Sequence, residues 1–484
     1  MRKYLTIFVI ALLALSSCGK MLDEIAPKGA ITTDKLSESD ITLLSNGVMH
    51  QFEAIVSNLW FEGDFLAENY APGPGFNFSD THAETQSASS PTALSRWTYC
   101  YGKLQYANLL IQAAKSGKSA EAKDALGVGY FFRAYIYFNL VTRYGGVPII
   151  ETPTNLDYTV SRADEAGTWK FIKDDLDRAD ACFAEAGTVF RSYAYVSPEA
   201  VALLRAKVCL WLGDYTKAVS EADKVIGSPS FSLSADPSEW AKMFVGGTTS
   251  RELVFAPVNI RSTDYIRLFE KVNDTDGSFN YSPAPALYSG LYADNGIKTG
   301  DIRKAATFGD DATRVIKFPN GQGGQFIANP APSESPLPVF RLADAYFIKA
   351  EAQWLGGGTP LLAMLTLKTF MDTRYASVNL PAVMTGDEFE ALLLDELQRE
   401  FYSEGRKWFD IKRLAIRRHG YVSATNYSSG DFTTWIKNMY PGNDGYTING
   451  WNDRHFLMYW PIPQAERDKS YGALTQNPGY AGYN

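Results

Sequence analysis

The sequence predicts a mainly α-helical protein, a scaffold of helical repeats carrying loop-rich insertions and short β-strands. Three observations predict it. Apolar and aromatic residues recur at three- and four-residue steps over long runs. In "GYFFRAYIYFNLVTRY", for example, Tyr130, Phe131, Ala134, Tyr135 and Phe138 share one stripe. Two distant segments, "LLRAKVCLWLGDYTKAVSEADKVI" and "LADAYFIKAEAQWLGGGTPLLAMLTLKTF", repeat one order of helix, glycine turn and helix. Between and after them lie stretches dense in Gly, Pro, Ser, Asn and Tyr, where the helical period lapses.

The chain opens "MRKYLTIFVIALLALSSCGK". Arg2 and Lys3 precede an apolar run at 4–15 that has the length of a signal h-region and is too short to span a bilayer. Ser16 and Ser17 lead directly to Cys18, the arrangement of a lipoprotein signal. Residues 1–17 are therefore expected to be removed, and Cys18 to carry acyl chains as the membrane anchor. Each buried CH₂ of such a chain contributes about 0.8 kcal/mol. The competing reading is a plain secretory signal with a chance cysteine. Residues 18–40 are polar and predict a tether, and residues 41–484 a single domain with insertions at about 228–338 and 420–458.

Helical spacing begins near Ile41 and gives way to "APGPGFNFSDTHAETQSASSPTA", a long loop over 71–93. It resumes with Trp97, Tyr101, Leu104 and Asn108 on one face. The next helix ends at Gly145-Gly146, and Pro148 starts an extended stretch. Gly213-Asp214-Tyr215 followed by Ala218 resembles the inter-helix turn of a tetratricopeptide repeat, where Gly permits the turn and Ala lets the helices approach. The second copy departs from that pattern after Gly356. Of Cys100, Cys182 and Cys209, the last lies in an apolar helical run that suits core packing. Three cysteines make no complete disulfide framework.

With 484 residues, 45% of them hydrophobic, the chain has ample material for a large core. A net charge of −8 argues against nucleic acid, which requires a clustered basic surface. The histidines, His50, His82, His419 and His455, are scattered and form no metal motif. Neither a phosphate-binding P-loop nor a nucleophile elbow occurs, and no cofactor is expected.

The stretch "ELQREFYSEGRKWFDIKRL" invites a catalytic reading, because Glu396, Glu400, Glu404 and Asp410 stand among five cations. Carboxylates spaced four apart on one helix do not straddle a scissile bond, since the two groups that flank it come from opposed walls. A structural ion-pair network is the stronger reading, with Arg399, Arg406 or Lys407 as partners of Glu400 and Glu404.

The same stretch resembles the signature E-R-x-x-E-F-x-x-E-G-x-R-W-F-D-L-x-R of the SusD/RagB family. Glu400, Phe401, Glu404, Gly405, Trp408, Phe409, Asp410 and Arg413 match it. Gln398 stands where the family usually has Glu, and Arg406-Lys407 where it has a variable residue followed by Arg. "FFRAYIYFNLVTRYGGVPII", "YWPIPQAE" and "QNPGY" are similar to further family motifs, in the same order. The resemblance implies a SusD-like fold, a frame of tetratricopeptide-like pairs whose loops form the ligand face. It implies an outer-membrane lipoprotein at the cell surface, with a SusC-like TonB-dependent transporter as partner and a glycan, or in some relatives a peptide, as cargo. Family members bind and do not catalyse. The alternatives are a surface glycoside hydrolase and a tetratricopeptide adaptor that binds only protein.

A sugar offers an apolar ring face and a rim of hydroxyls, so its site calls for aromatic platforms beside polar side chains. Two loop regions combine them. One holds Phe76, Phe78 and Asp80, followed by Trp97; the other holds Asn280, Tyr281, Tyr288 and Tyr292. Trp451 in the later insertion is the next candidate.

Overall fold

The computed structural model describes residues 37–59, 62–72, 86–153, 159–245, 247–257, 281–308, 315–318, 336–357, 360–419 and 458–480. Cys18, the signal and most of the tether, Phe76, Phe78, Asp80, Asn280 and Trp451 lie outside them.

The frame begins with α1 (Glu38–Leu59), a few residues ahead of the expected start, and the short α2 (Glu62–Leu66). Strand β1 (Tyr70–Pro72) follows, then α3 (Pro91–Ala114) and α4 (Ala120–Tyr144). Ser119 caps α4 by accepting the Ala122 N–H, and Gly145, at φ 72°, ends it. Helix α5 (Glu165–Ala186) packs back along α4.

Helices α6 (Pro198–Leu212) and α7 (Tyr215–Ile226) form the first glycine-turn pair. Gly213 takes the left-handed conformation at φ 78°, and Asp214 then caps α7 through the Lys217 N–H. Short α8 (Pro237–Lys242), β2 (Leu253–Phe255), β3 (Tyr281–Pro283), α9 (Pro285–Gly290), β4 (Lys298–Asp301) and α10 (Lys304–Thr307) make up the described part of the first insertion. Strand β5 (Phe340–Arg341) runs straight into α11 (Leu342–Leu355), which pairs with α12 (Pro360–Met371). Helix α11 also packs on α7, so the two echoing segments of the sequence are neighbours in space. Strand β6 (Tyr375–Val378), α13 (Gly386–Phe401), α14 (Lys407–Arg417) and α15 (Gln464–Lys469) complete the order.

The predicted aromatic stripe is core. Phe52 of α1 contacts Phe131, Phe132 and Tyr135 of α4, with ring centroids 5.8, 4.7 and 4.7 Å away, and meets Phe255 of β2 edge-on at 4.9 Å. A second cluster gathers Phe347, Trp354, Phe370, Phe389, Leu393 and Phe401 from α11, α12 and α13. The three described cysteines, Cys100, Cys182 and Cys209, are buried and free.

The strands form three two-stranded antiparallel ribbons, β1–β3, β2–β5 and β4–β6, each joining the insertion to the frame. In the first, Tyr70 faces Pro283, Ala71 faces Ser282 and Pro72 faces Tyr281.

Candidate functional site

The carboxylate-rich stretch forms the centre of an ion-pair lock. Helix α13 ends at Phe401, and Ser403 and Gly405, at φ 68° and 69°, turn the chain into α14. Trp408 therefore lies on the second helix, not on the one that carries Glu396 and Glu400. Glu400 is fully buried and meets Arg341 at 2.6 Å, Arg374 at 3.0 Å and Arg303 at 3.1 Å. Glu404 accepts from Lys317 at 2.5 Å and Arg341 at 2.8 Å. Glu396 binds Arg303 at 3.2 Å and the Tyr375 hydroxyl at 2.5 Å.

These cations come from the insertion, from β5 and from the turn after α12. The expected partners Arg399 and Arg406 bind Asp395 and Asp410 instead, each four residues along its own chain segment. The reason is geometric: the carboxylates face inward, where only other elements can reach them. Arg413 closes the lock on α11 through Glu351 at 2.6 Å, and on its own helix through Asp410 at 2.6 Å. Burial opposes the charge on Glu400, but Arg374, Arg341 and Arg303 outweigh it and hold the carboxyl well below its ordinary range. An acid so held has no proton to give at neutral pH, and each carboxylate is already partnered. A cavity of about 150 Å³ lies beside the turn, lined in part by Lys207, Asp344, Arg406 and Phe409. Its charges pair with one another, Lys207 reaching Asp344 at 2.9 Å.

The lock carries the β1–β3 ribbon. The Tyr70 hydroxyl is hydrogen-bonded to Ser403 of the turn. Tyr402 donates to the Asn69 carbonyl at 2.9 Å, and the same carbonyl accepts the Ala284 N–H at 3.0 Å. Gln398 of α13 donates to the Asn69 side chain at 2.9 Å. Beneath them Asp64 of α2 accepts the Gly405 N–H at 2.5 Å. A Cβ at Gly63 would lie 2.1 Å from the Gly405 carbonyl oxygen, so only glycine permits this approach.

Two predicted ligand platforms are core residues. Trp97 is 3% exposed, against Tyr101 and Tyr144 at 5.0 and 5.1 Å. It starts no loop; it occupies the buried face of α3. Tyr292 is 4% exposed, and its hydroxyl donates to the Arg399 carbonyl at 2.8 Å. Each ring packs into the core, Trp97 against Tyr144 within the frame and Tyr292 against Phe308 within the insertion. Tyr288 is half-buried, with its ring 5.4 Å from that of Phe308. Tyr281 is the first residue of β3. Its backbone pairs with that of Pro72, the last described residue before the first predicted loop region.

Asp64, Asn69 and Tyr402 were not singled out in the sequence. The available signal was an acidic residue within "FEGDFLAENY", where a surface position would be expected to break the apolar run.

Comparison with known proteins gives a consistent picture. Residues 298–480 match the family described as "SusD family", and residues 29–204 match "Starch-binding associating with outer membrane". A SusD-like protein of Formosa agariphila is 22% identical over 90% of this chain and 95% of its own. The starch-binding protein SusD of Bacteroides thetaiotaomicron is 24% identical, over 80% of this chain and 78% of its own. Among solved structures, a SusD superfamily protein of Bacteroides fragilis superposes with a TM-score of 0.73 at 19% identity, covering 92% of this chain and 99% of its own. The surface glycan-binding protein A of Bacteroides uniformis reaches a TM-score of 0.69 at 18% identity, covering 91% and 99%.

Proposed function

Because the chain is a SusD-like protein, we propose that it is a binding protein of the outer-membrane surface that captures a glycan and passes it to a SusC-like TonB-dependent transporter. It is anchored through lipid on Cys18. The ligand is taken at the outer end of the β1–β3 ribbon, by Phe76, Phe78 and Asp80 from one side and Asn280 and Tyr281 from the other. The observation that carries this reading is the pairing of Pro72 with Tyr281, which roots both aromatic-rich segments at one point. Aromatic and polar side chains together suit a sugar's C–H face and hydroxyl rim.

A binding role also accords with the lock. The carboxylates most suggestive of hydrolysis are buried and ion-paired, and they brace the ribbon. Two of the named relatives are a starch-binding and a glycan-binding protein, which favours a glycan over a peptide.

The test is a glycan array on the mature protein, followed by calorimetry on Phe76→Ala, Phe78→Ala and Tyr281→Ala. Loss of a stacking ring weakens binding by about 1 kcal/mol or more at unchanged melting temperature. Parent-like affinity in all three places the platform elsewhere. Turnover of any bound oligosaccharide favours the hydrolase reading. Purification from membrane in mild detergent recovers a TonB-dependent barrel if the transporter partnership holds.

A further inference from the structure

A groove of about 290 Å³ runs along one stripe of α1. Thr42, Ser45, Asn46 and Met49, spaced three and four apart, form one wall. Ala125 and Val128 of α4 are buried at its floor. The segment after α5, with Val189, Arg191 and Tyr195, forms the other wall. That wall is held in place. The Thr188 hydroxyl donates to Asp124 of α4 at 2.6 Å, and Arg191 reaches the same carboxylate at 3.1 Å while lying 5.2 Å over the Tyr195 ring. Large apolar side chains are nevertheless bare here. Val189 is 68% exposed, Tyr195 47%, and Leu43, one turn from Asn46 on α1, 68%. Bare apolar groups around a concavity mark a place where another segment lies.

The start of α1 shows which segment is at hand. Ser37 and Asp40 form a capping box: the Ser37 hydroxyl accepts the Asp40 N–H at 3.3 Å, and the Asp40 carboxylate accepts the Ser37 N–H at 2.8 Å. In that motif the residue before the cap packs on the fourth residue of the helix, and here those are Leu36 and the buried Ile41. Such a staple fixes the angle at which the chain enters and turns it back onto α1. The family match begins at residue 29, ahead of the helix, so 29–36 carry family sequence and not length alone. The distances fit as well. From Ser37 to Met49 the helix rises about 18 Å, which about six extended residues cover, and 29–36 number eight. Charge is complementary: Glu121 and Asp124 outnumber Arg191 at the groove, whereas Lys28 and Lys35 outnumber Asp34 in the segment.

We propose that residues 29–36 lie in this groove, so that the half of the expected tether next to α1 belongs to the frame. Ile31 supplies apolar cover for the bare side chains, and Lys35 a cation beside Glu121. Docking leaves 18–28 as the free spacer. Its greatest reach falls from about 65 Å, for all of 18–36, to about 37 Å, which limits how far and in what orientation the ligand face stands from the membrane. That consequence rests on the proposed lipid at Cys18; the docking itself does not.

Limited trypsin digestion of the mature chain, followed by mass spectrometry, reads the docked state through the rate of cleavage after Lys35. Val189→Asp should raise that rate by about tenfold, equivalent to about 1.4 kcal/mol of docking. Val383→Asp, at an exposed position outside the groove, should leave it at the parent's value. Equal rates in the parent and Val189→Asp overturn the proposal. A second variant replaces 29–36 with a Gly/Ser run of the same length, and hydroxyl-radical oxidation is followed residue by residue. Met49 and Tyr195 should be oxidised several-fold faster in it than in the parent, with the exposed Tyr471 unchanged. Oxidation alike in both overturns the docking. If cover of the two residues then appears only as protein concentration rises, the groove belongs to a second copy; if only on adding membrane extract that contains the transporter, it belongs to that partner. Neither readout uses lipid or glycan, so the anchor and ligand readings can fail while the docking is still decided.

Discussion

Glu400 and Asp64 are both fully buried carboxyls, and both touch the α13–α14 segment, yet they behave in opposite ways. Three guanidiniums surround Glu400 and hold it ionised, whereas Asp64 accepts from two uncharged donors, and burial pushes it up to about 7 against the pull of those bonds and of Lys317. Burial depth is the same, so the number of facing cations decides which form the fold prefers. The first site is a lock with its charges balanced. The second joins its segments through hydrogen bonds from the Gly405 N–H and the Asn69 amide.

Breaking the lock should have the largest effect. Glu400→Ala strands Arg303, Arg341 and Arg374 in the core and should destabilise by about 3–5 kcal/mol, read from urea denaturation. A loss under 1 kcal/mol would mean that the three cations find other partners. Next comes the pH dependence, where the signs are opposed. The folded pKa of Glu400 is depressed, so its contribution is present above its unfolded value of 4.5 and lost as pH falls. Asp64 is raised from 3.8 to about 7, so its contribution is full below 3.8 and shrinks as pH rises to 7. Asp64→Asn should therefore flatten the fall in stability between pH 5 and 7, by of order 2–3 kcal/mol if global unfolding exposes the site. An unaltered stability–pH curve in that variant would assign the fall to another group.

Smaller effects sharpen the contrast. Gly63→Ala forces its methyl against the Gly405 carbonyl and should cost about 1–3 kcal/mol in thermal unfolding, by overpacking the contact of α2 with the α13–α14 turn. A neutral result would show that α2 can shift. The exposed pair of Lys368 with Asp372 on α12 is the control. Lys368→Ala should change stability by less than about 0.5 kcal/mol, because water screens what the core does not.

Much of the scaffold was legible because it depends on local chemistry. The glycine at 213 ends α6 and the aspartate at 214 starts α7, as any chain with those residues would favour. The aromatic stripe of α4 has a helical period, and that alone marks a packed face. The family signature identified the carboxylate stretch as scaffold, and its density of both charges suited an ion-pair network. Its partners were not legible: Arg303, Arg341 and Arg374 lie far off in the chain, and nothing local joins them to Glu400.

The candidate site divides in the same way. Composition singled out the two loops rich in aromatic and polar residues, since Gly and Pro exclude regular packing there. It did not separate a platform from a root, so Trp97 and Tyr292 were included although both are core. By itself, then, the sequence determined the helical frame and its turns, which follow from residues close together in the chain. Only the tertiary structure decided that Pro72 pairs with Tyr281, that three guanidiniums surround Glu400 and that Asp64 accepts from the Gly405 N–H. Pairing and electrostatic environment are set by segments well separated in the chain, which meet only when the core closes.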